Sequence, residues 1–181
     1  MTVPRMPRVR REEGFTLVEM LIAMMILSVA ILPLVAAYSS GYVALNRATQ
    51  VSSATLIADS QMERFRALQY TAIKLNTSCG TACAEDTTYT GDAAYSASTA
   101  VTGCSTTDTS CLPTQTKTGP DGRSYRVDTF ISWTCATGTY SAGACSSGQT
   151  PVKLVTVVVR KSGVTASWIR EQSIFTSLTG S

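Results

Sequence analysis

The chain has no histidine among its 181 residues, so the side chain that most often serves as a general base or metal ligand is absent. Charged residues are also scarce, at 15% of the chain, and the formal net charge is +3. From residue 15 onward the chain has 11 basic and 10 acidic residues, a net charge of +1. That balance lacks the bulk positive charge typical of nucleic-acid binding, so nucleic acid is not indicated as a partner. We find no catalytic constellation, and we expect no enzyme activity, no metal site and no cofactor.

Polar residues are nearly absent between Phe15 and Tyr38, where an apolar run follows a short basic leader. As a helix, this run extends about 36 Å, enough to cross a hydrocarbon core of about 30 Å. The leader holds four arginines against two glutamates, and no charge follows Glu19 until Arg47. This arginine excess predicts a cytoplasmic N-terminus and an extracytoplasmic remainder.

Glu19 is the one charged residue inside the apolar run. A carboxylate in the hydrocarbon core costs roughly 2.5–3.5 kcal/mol on insertion scales, so we expect it to have a partner. An alternative interpretation of the run is a secretory signal peptide cut near residues 35–37. The length of the run, the acid inside it and Pro33 close to the cut argue against that interpretation.

Gly14-Phe15-Thr16-Leu17-Val18-Glu19, followed by an apolar helix, resembles the prepilin signature of type IV pilins and type II secretion pseudopilins. The resemblance implies that a prepilin peptidase cuts after Gly14, that Phe15 becomes the methylated N-terminus, and that Glu19 is the assembly acid. It also implies a helix that lies in membrane lipid before assembly and in the filament core afterwards. The implied partners are other pilin subunits, the prepilin peptidase/methyltransferase and an inner-membrane assembly platform.

Electrostatics independently favours a docking role for Glu19. Cleavage after Gly14 leaves a cationic amine on Phe15, at nearly the same depth as the Glu19 carboxylate. When such helices pack side by side, one subunit's amine lies near another's carboxylate, and each offsets the desolvation cost of the other. One such pair per contact also sets the axial stagger of neighbours, as a lone polar residue sets register in a coiled coil. The alternative is an acid that snorkels to the membrane interface.

Helical periodicity continues beyond Tyr38, and no proline interrupts it before Tyr70. The pattern predicts one long helix from about Phe15 to Tyr70, with a membrane half at residues 15–38 and an amphipathic half at residues 39–70. The predicted apolar stripe of the second half consists of Leu45, Val51, Ala54, Ala58, Met62 and Phe65.

Large aliphatic residues are nearly absent from residues 76–122, where Thr, Ser and Gly fill 23 of 47 positions. Such a segment buries too little apolar surface to offset the entropy lost on ordering, which predicts a surface loop region at residues 71–122. The chain's six cysteines follow an outward-facing anchor and therefore indicate disulfides rather than zinc. The expected pairs are Cys135–Cys145 at the base of a hairpin loop, Cys104–Cys111, and Cys79–Cys83.

Alternating apolar and polar residues after Pro120-Asp121-Gly122 predict an antiparallel sheet within residues 123–181. The predicted strands are Tyr125–Trp133, Val152–Lys161, Val164–Ile169 and a fourth at Ile174-Phe175. A small antiparallel sheet of this kind exposes one face, and the amphipathic helix supplies the cover that this face needs. The expected fold class is therefore α+β, with residues 1–14 as a leader peptide and a disulfide-stapled loop region between helix and sheet.

These features together predict a structural filament subunit, and a minor pilin of the PilV-like kind is favoured because the head is rich in cysteine and loops. The alternatives are a type II secretion pseudopilin, a competence pilin, or a secreted disulfide-rich binding module. We expect a single-pass inner-membrane protein that later enters a pilus or pseudopilus at the cell surface or in the periplasm.

Overall fold

A computed structural model of the protein describes residues 14, 16–76, 86–104 and 111–177. The chain divides into two compact units, residues 1–46 and residues 47–181. The predictions for Phe15, for the leader at residues 1–13 and for a Cys79–Cys83 pair lie outside the described residues.

Helix α1, Leu17–Arg66, confirms the single long N-terminal helix, and Pro33 lies inside it. It ends four residues before the predicted Tyr70, which instead begins a 3₁₀ turn, Tyr70–Ala72. The basic side chains of Arg64 and Arg66 lie in its last turn, where cations interact favourably with the helix dipole.

A four-stranded antiparallel sheet forms the second unit together with the later part of α1. Its strands lie in the order β1-β2-β5-β6, so β1 and β6 are its two edges. A separate two-stranded hairpin, β3–β4, lies in the loop between β2 and β5. The strands are β1 Thr114–Thr118, β2 Ser124–Thr134, β3 Tyr140–Ser141, β4 Ala144–Cys145, β5 Val152–Lys161 and β6 Ser167–Phe175.

Three details of the sheet differ from the prediction. The backbone N–H of Val164 bonds to the carbonyl of Lys161 in a turn, so the third predicted strand begins only at Ser167. Ile174-Phe175 is the end of that same strand and not a fourth one. The additional strand is β1, which lies before the predicted boundary at residue 123 and has no apolar residue to indicate it.

One face of the sheet packs against the later part of α1, as predicted. Of the predicted stripe, Leu45 and Val51 are exposed, at 69% and 36%, and the other four residues are buried. The buried cluster joins Ala54, Ala58, Met62 and Phe65 of the helix to Tyr125, Val127, Ile131, Val155, Val157 and Val159 of the two central strands.

The opposite face of the sheet is also covered, by a second layer that we did not predict from the sequence. Residues 86–95, which we call the insert, include a short helix α2, Thr87–Thr90, and lie over this face, whereas residues 99–101 bond to β2. Tyr89 is 2% exposed and stacks on Phe130 with 4.4 Å between ring centroids. The ring of Tyr89 supplies apolar surface that was not considered when only the aliphatic residues of this segment were counted.

Candidate functional site

Thr16 caps the N-terminus of α1. Its hydroxyl oxygen accepts a bond from the backbone N–H of Glu19 at 3.3 Å, and its carbonyl accepts one from Met20 at 3.2 Å. This is the N-cap arrangement that satisfies otherwise unpaired N–H groups at a helix start. Gly14 is exposed just before the cap, and a Cβ placed there would meet nothing within 4 Å.

The first part of α1 is apolar on all sides and exposed on all sides. It is long and apolar enough to cross a membrane, with a mean hydropathy of 2.6 over its most apolar 18-residue window. Its large apolar side chains are exposed, from Leu17 at 81% to Ile31 at 46%. Ser28 and Ser39 donate their hydroxyl hydrogens to carbonyls of their own helix, at 2.8 Å each, which removes the cost of placing a bare hydroxyl in lipid.

Glu19 lies in the first turn of this apolar helix and is exposed. Among the described residues it takes part in no ion pair. Its position at a helix N-terminus is favourable for a negative charge by about 0.3–1 kcal/mol. That gain is smaller than the cost of a carboxylate in hydrocarbon, so the described residues leave part of that cost uncompensated when the helix is in lipid.

A network of charges holds the insert on the sheet. Arg160 bonds to Asp128 with 2.5 Å between the two atoms, and it also bonds to Asp92 of the insert. Arg170 reaches the same Asp92 at 2.8 Å. Burial raises the pKa of Asp92, but the Ala94 backbone N–H and the two guanidinium groups outweigh it, and the pKa lies below its ordinary value.

A second part of the network fixes α2. Asp86 accepts a bond from the Tyr89 backbone N–H at 2.9 Å, which caps α2, and it also pairs with Arg126. The hydrogen bond from Arg126 lowers the pKa of Asp86 to about 2. Arg126 also bonds to Asp128 at 2.7 Å, so this arginine links the cap to the centre of the sheet. One face of β2 is therefore ionic at one end and aromatic at Phe130.

Lys153 holds the segment that follows α1. Its ammonium donates to the carbonyls of Tyr70 and Ile73 at 2.6 and 2.9 Å, and it lies 4.4 Å from the centroid of the Tyr70 ring. The residue is 2% exposed. Burial, followed by the charge of Lys74, lowers the pKa of Lys153 to about 8.

The described residues form two disulfides, Cys135–Cys145 and Cys104–Cys111, with Cα atoms 5.8 and 6.5 Å apart. The first joins the end of β2 to β4 and closes the loop that carries the β3–β4 hairpin. Within that hairpin, Tyr140 stacks on Trp133 with 6.2 Å between ring centroids. The described residues contain no group of three or more His, Cys, Asp or Glu side chains that could hold a metal ion.

Sequence reasoning singled out the N-terminal residues and the cysteines, and it missed the ionic network and Lys153. Apart from Arg126 and Asp128, the network pairs residues about 30 to 80 positions apart, so no local spacing indicates it. One signal was available: β5 is apolar almost without interruption, which is typical of a strand buried on both faces. A strand that is buried on both faces predicts a second layer over the sheet, and the insert is that layer.

Comparison with known proteins gives one match. The model of the prokaryotic N-terminal methylation motif, a type IV pilin-like signal, matches residues 9–35. The matched range includes Gly14, the Thr16 cap and Glu19, and it ends before the second unit begins. No curated protein and no solved structure matches the chain. The signal and the long apolar helix fit a protein anchored in the inner membrane.

Proposed function

We propose that this protein is a structural subunit of a type IV pilus-like filament. Prepilin peptidase removes the leader after Gly14, and the new N-terminal residue, Phe15, is methylated. The subunit is first anchored in the inner membrane by the apolar part of α1, and its second unit, residues 47–181, which we call the head, lies outside the cytoplasm. It then enters the filament, where that part of the helix packs against other pilin subunits.

The observation that carries this proposal is an unpaired carboxylate at the start of an apolar helix that also carries the methylation motif. Glu19 has no cationic partner among the described residues, and the apolar side chains around it are exposed. A free amine at Phe15 of a neighbouring subunit supplies a positive charge at the right depth. Docking of that neighbour also buries the exposed apolar side chains of α1, so docking and neutralisation of the Glu19 charge occur together.

Among filament subunits, we favour a minor pilin. The head combines the insert, the disulfides Cys104–Cys111 and Cys135–Cys145 and a separate hairpin, which give it a surface rich in loops. Loops on a rigid scaffold are where recognition residues concentrate. A type II secretion pseudopilin and a competence pilin share the processing and the helix. Neighbouring genes for an assembly ATPase and platform protein would tell these systems apart.

The test is the N-terminus of the mature protein after expression with a prepilin peptidase. Mass spectrometry is expected to show a chain that begins at Phe15 and carries a methyl group on its amine. Gly14→Val is expected to leave the uncleaved precursor in the membrane, because a branched side chain blocks close approach of the backbone to the peptidase.

Gly41→Val is the matched control, since both glycines have no atom within 4 Å of an added Cβ and Gly41 lies well inside α1. This variant is expected to be cleaved like the wild type. A mature N-terminus near Ser39 would instead identify a secreted module released by signal peptidase and would overturn the proposal.

A further inference from the structure

A groove of about 310 Å³ lies in the second unit, at the end where α1 enters that unit. Gln50 of α1 lies on one side of the groove, three residues after the unit begins. The other side is formed where β2 starts and β5 ends, by Arg123, Ser124, Tyr125, Lys161 and Ser162. The Tyr125 hydroxyl oxygen lies 3.3 Å from the carbonyl oxygen of Gln50, so the strands are tied to this turn of the helix.

Two turns of the sheet lie at the same end of the unit. The antiparallel registers place the start of β2 beside the ends of β1 and β5, so the β1–β2 turn and the β5–β6 turn are neighbours. In the first turn, the Gly119 N–H donates to the Arg123 carbonyl at 2.8 Å. In the second, the Val164 N–H donates to the Lys161 carbonyl at 3.1 Å. Both turns are hydrogen-bonded, so they present a defined surface beside the groove.

Three cations make this surface basic. Arg123 and Lys161 line the groove, and Arg47 lies three residues before Gln50 and therefore on the same face of the helix. All three cations are exposed. Arg47 and Lys161 take part in no ion pair of the described residues. We call the groove and these three cations the basic end.

Asp121, in the β1–β2 turn, is an acid close to the basic end, but its carboxylate is used within the chain. It accepts a hydrogen bond from the Tyr125 hydroxyl at 2.6 Å and one from the Arg123 backbone N–H at 3.2 Å. Its side chain is 7% exposed, whereas the Arg123 side chain, 4.0 Å away, is 48% exposed. No carboxylate is among the described residues that line the groove. The basic end therefore keeps an excess of positive charge for an anion from outside.

An exposed apolar side chain lies beside these cations. Val164, in the β5–β6 turn, is 41% exposed and follows Lys161 by three residues. Ser124 and Ser162 line the groove and offer hydroxyl groups to phosphate oxygens. Cations and hydroxyl groups suit a phosphate, and an apolar side chain next to them suits the boundary between headgroups and acyl chains. This combination favours a phospholipid surface over a nucleic acid or a free phosphate ion.

The chain between the apolar run and the basic end is short. Eight residues, 39–46, separate Tyr38 from Arg47. As part of α1 they span about 12 Å, and the headgroup region on one side of a bilayer fills about 5–7 Å of that distance. The remainder is shorter than the Debye length of about 8 Å at physiological ionic strength. An anchored helix therefore keeps Arg47 within electrostatic reach of the headgroup phosphates.

We propose that the basic end binds the phosphate groups of anionic phospholipids in the membrane that holds α1. The inference rests on the proposed function, because the anchored state of the subunit brings this surface to the membrane. Each cation close to an anionic membrane surface strengthens binding about fivefold, and salt screens the attraction. The contact holds the head against the membrane before assembly, and it has to break when the subunit enters the filament.

Fluorescence quenching in nanodiscs tests the contact with the processed chain and its α1 anchor. One label is attached through Ala166→Cys, an exposed position in the β5–β6 turn, and a separate one through Ser177→Cys, beyond the opposite end of β6. The bilayer is phosphatidylcholine with or without phosphatidylglycerol, and it contains a lipid with a nitroxide quencher on its headgroup. Phosphatidylglycerol is expected to increase quenching at residue 166 but not at residue 177, and high salt to abolish the increase. Equal quenching at residue 166 in both bilayers would overturn the inference.

Charge variants identify the cations responsible. In bilayers with phosphatidylglycerol, Arg123→Gln with Lys161→Gln is expected to lower the ratio of docked to undocked heads roughly tenfold. Arg64→Gln with Lys74→Gln is the matched control, because it removes two positive charges outside the basic end, and it is expected to have no effect. Arg123→Lys with Lys161→Arg keeps the charge and is expected to dock like the wild type. An equal loss in the control would mean that net charge, and not the basic end, governs docking, and it would overturn the inference.

Two further results separate this inference from its alternatives. Duplex DNA is expected to leave the quenching unchanged, and displacement of the head from the bilayer by DNA would overturn the inference in favour of nucleic acid. A mature N-terminus near Ser39 would mean that the anchor is absent, so that the proposed function and this inference fail together. A chain that begins at Phe15 but shows no effect of phosphatidylglycerol would overturn this inference alone.

Discussion

Arg160 on β5 and Asp128 on β2 form an ion pair across neighbouring strands, with side chains that are 4% and 0% exposed. The pair lies beneath the insert, and the same guanidinium also bonds to Asp92 of that segment. A buried charge of this kind is held by all of its partners together. Loss of one partner leaves the others unpaired in a medium of low dielectric constant.

Asp128→Ala is therefore expected to lower the free energy of unfolding by about 3–5 kcal/mol, because Arg160 and Arg126 both lose an acceptor. Urea denaturation followed by tryptophan fluorescence measures this. Asp121→Asn, a change to an acid outside the buried network, is the control and is expected to cost much less. Asp128→Leu combined with Arg160→Met is expected to recover part of the loss, and no recovery would show that the arginine was not the cause.

Glu19→Leu is expected to insert into the membrane at least as well as the wild type, because the change removes a costly charge. It is expected to be cleaved normally and to enter filaments poorly, since a neighbour's amine is then unpaired. The amount of subunit in sheared filaments is the measurement. Glu19→Gln isolates the charge and is expected to behave similarly, whereas Ser28→Leu in the same helix is expected to assemble normally. Wild-type incorporation of the glutamine variant would contradict docking through charge.

Replacing Cys135 and Cys145 together by serine is expected to destabilise the head by about 2–3 kcal/mol, because the bridge closes a loop of only 10 residues. It is also expected to free the hairpin that places Tyr140 against Trp133, which changes the tryptophan emission of the folded protein. Non-reducing peptide mapping of the wild type provides the reference. A peptide that links Cys135 to one of the earlier cysteines would contradict the pairing.

Lys153 predicts a specific dependence of stability on pH. Its pKa is lowered to about 8 in the folded protein, mainly by burial, and returns to an ordinary lysine value on unfolding. Between these two values the unfolded chain binds more protons, so stability is expected to rise with pH through that window. Compared with Lys153→Met, the wild type is expected to gain about 1 kcal/mol between pH of about 7.5 and about 9.5, after allowance for solvent screening. Denaturant titrations at both pH values measure the difference. A constant difference between the two proteins would mean that the ammonium is not desolvated.

The elements predicted correctly are those whose signal lies in neighbouring residues. Examples are the helical period of α1, the alternation of apolar and polar residues in β2 and β5, and the motif at Gly14 and Glu19. Strand β1 has the sequence TQTKT and no apolar period, and only its pairing with β2 makes it a strand. The insert is similar: Tyr89 is buried because it stacks on Phe130 and donates its hydroxyl hydrogen to the carbonyl of Thr129, a residue 40 positions away. Long-range pairs of this kind are decided by the tertiary fold, which a single sequence does not display.

The layers on both faces of the sheet have a consequence for the exchange of amide hydrogens with deuterated water. The central strands β2 and β5 have bonded neighbours on both sides, and they are covered by α1 on one face and by the insert on the other. Their amides exchange through opening of the whole head, whereas those of the insert need only the loss of its ionic and aromatic contacts. Deuterium should therefore enter residues 86–95 well before it reaches the amides around Val157. The insert can thus detach from the sheet while the packing between α1 and the sheet remains intact.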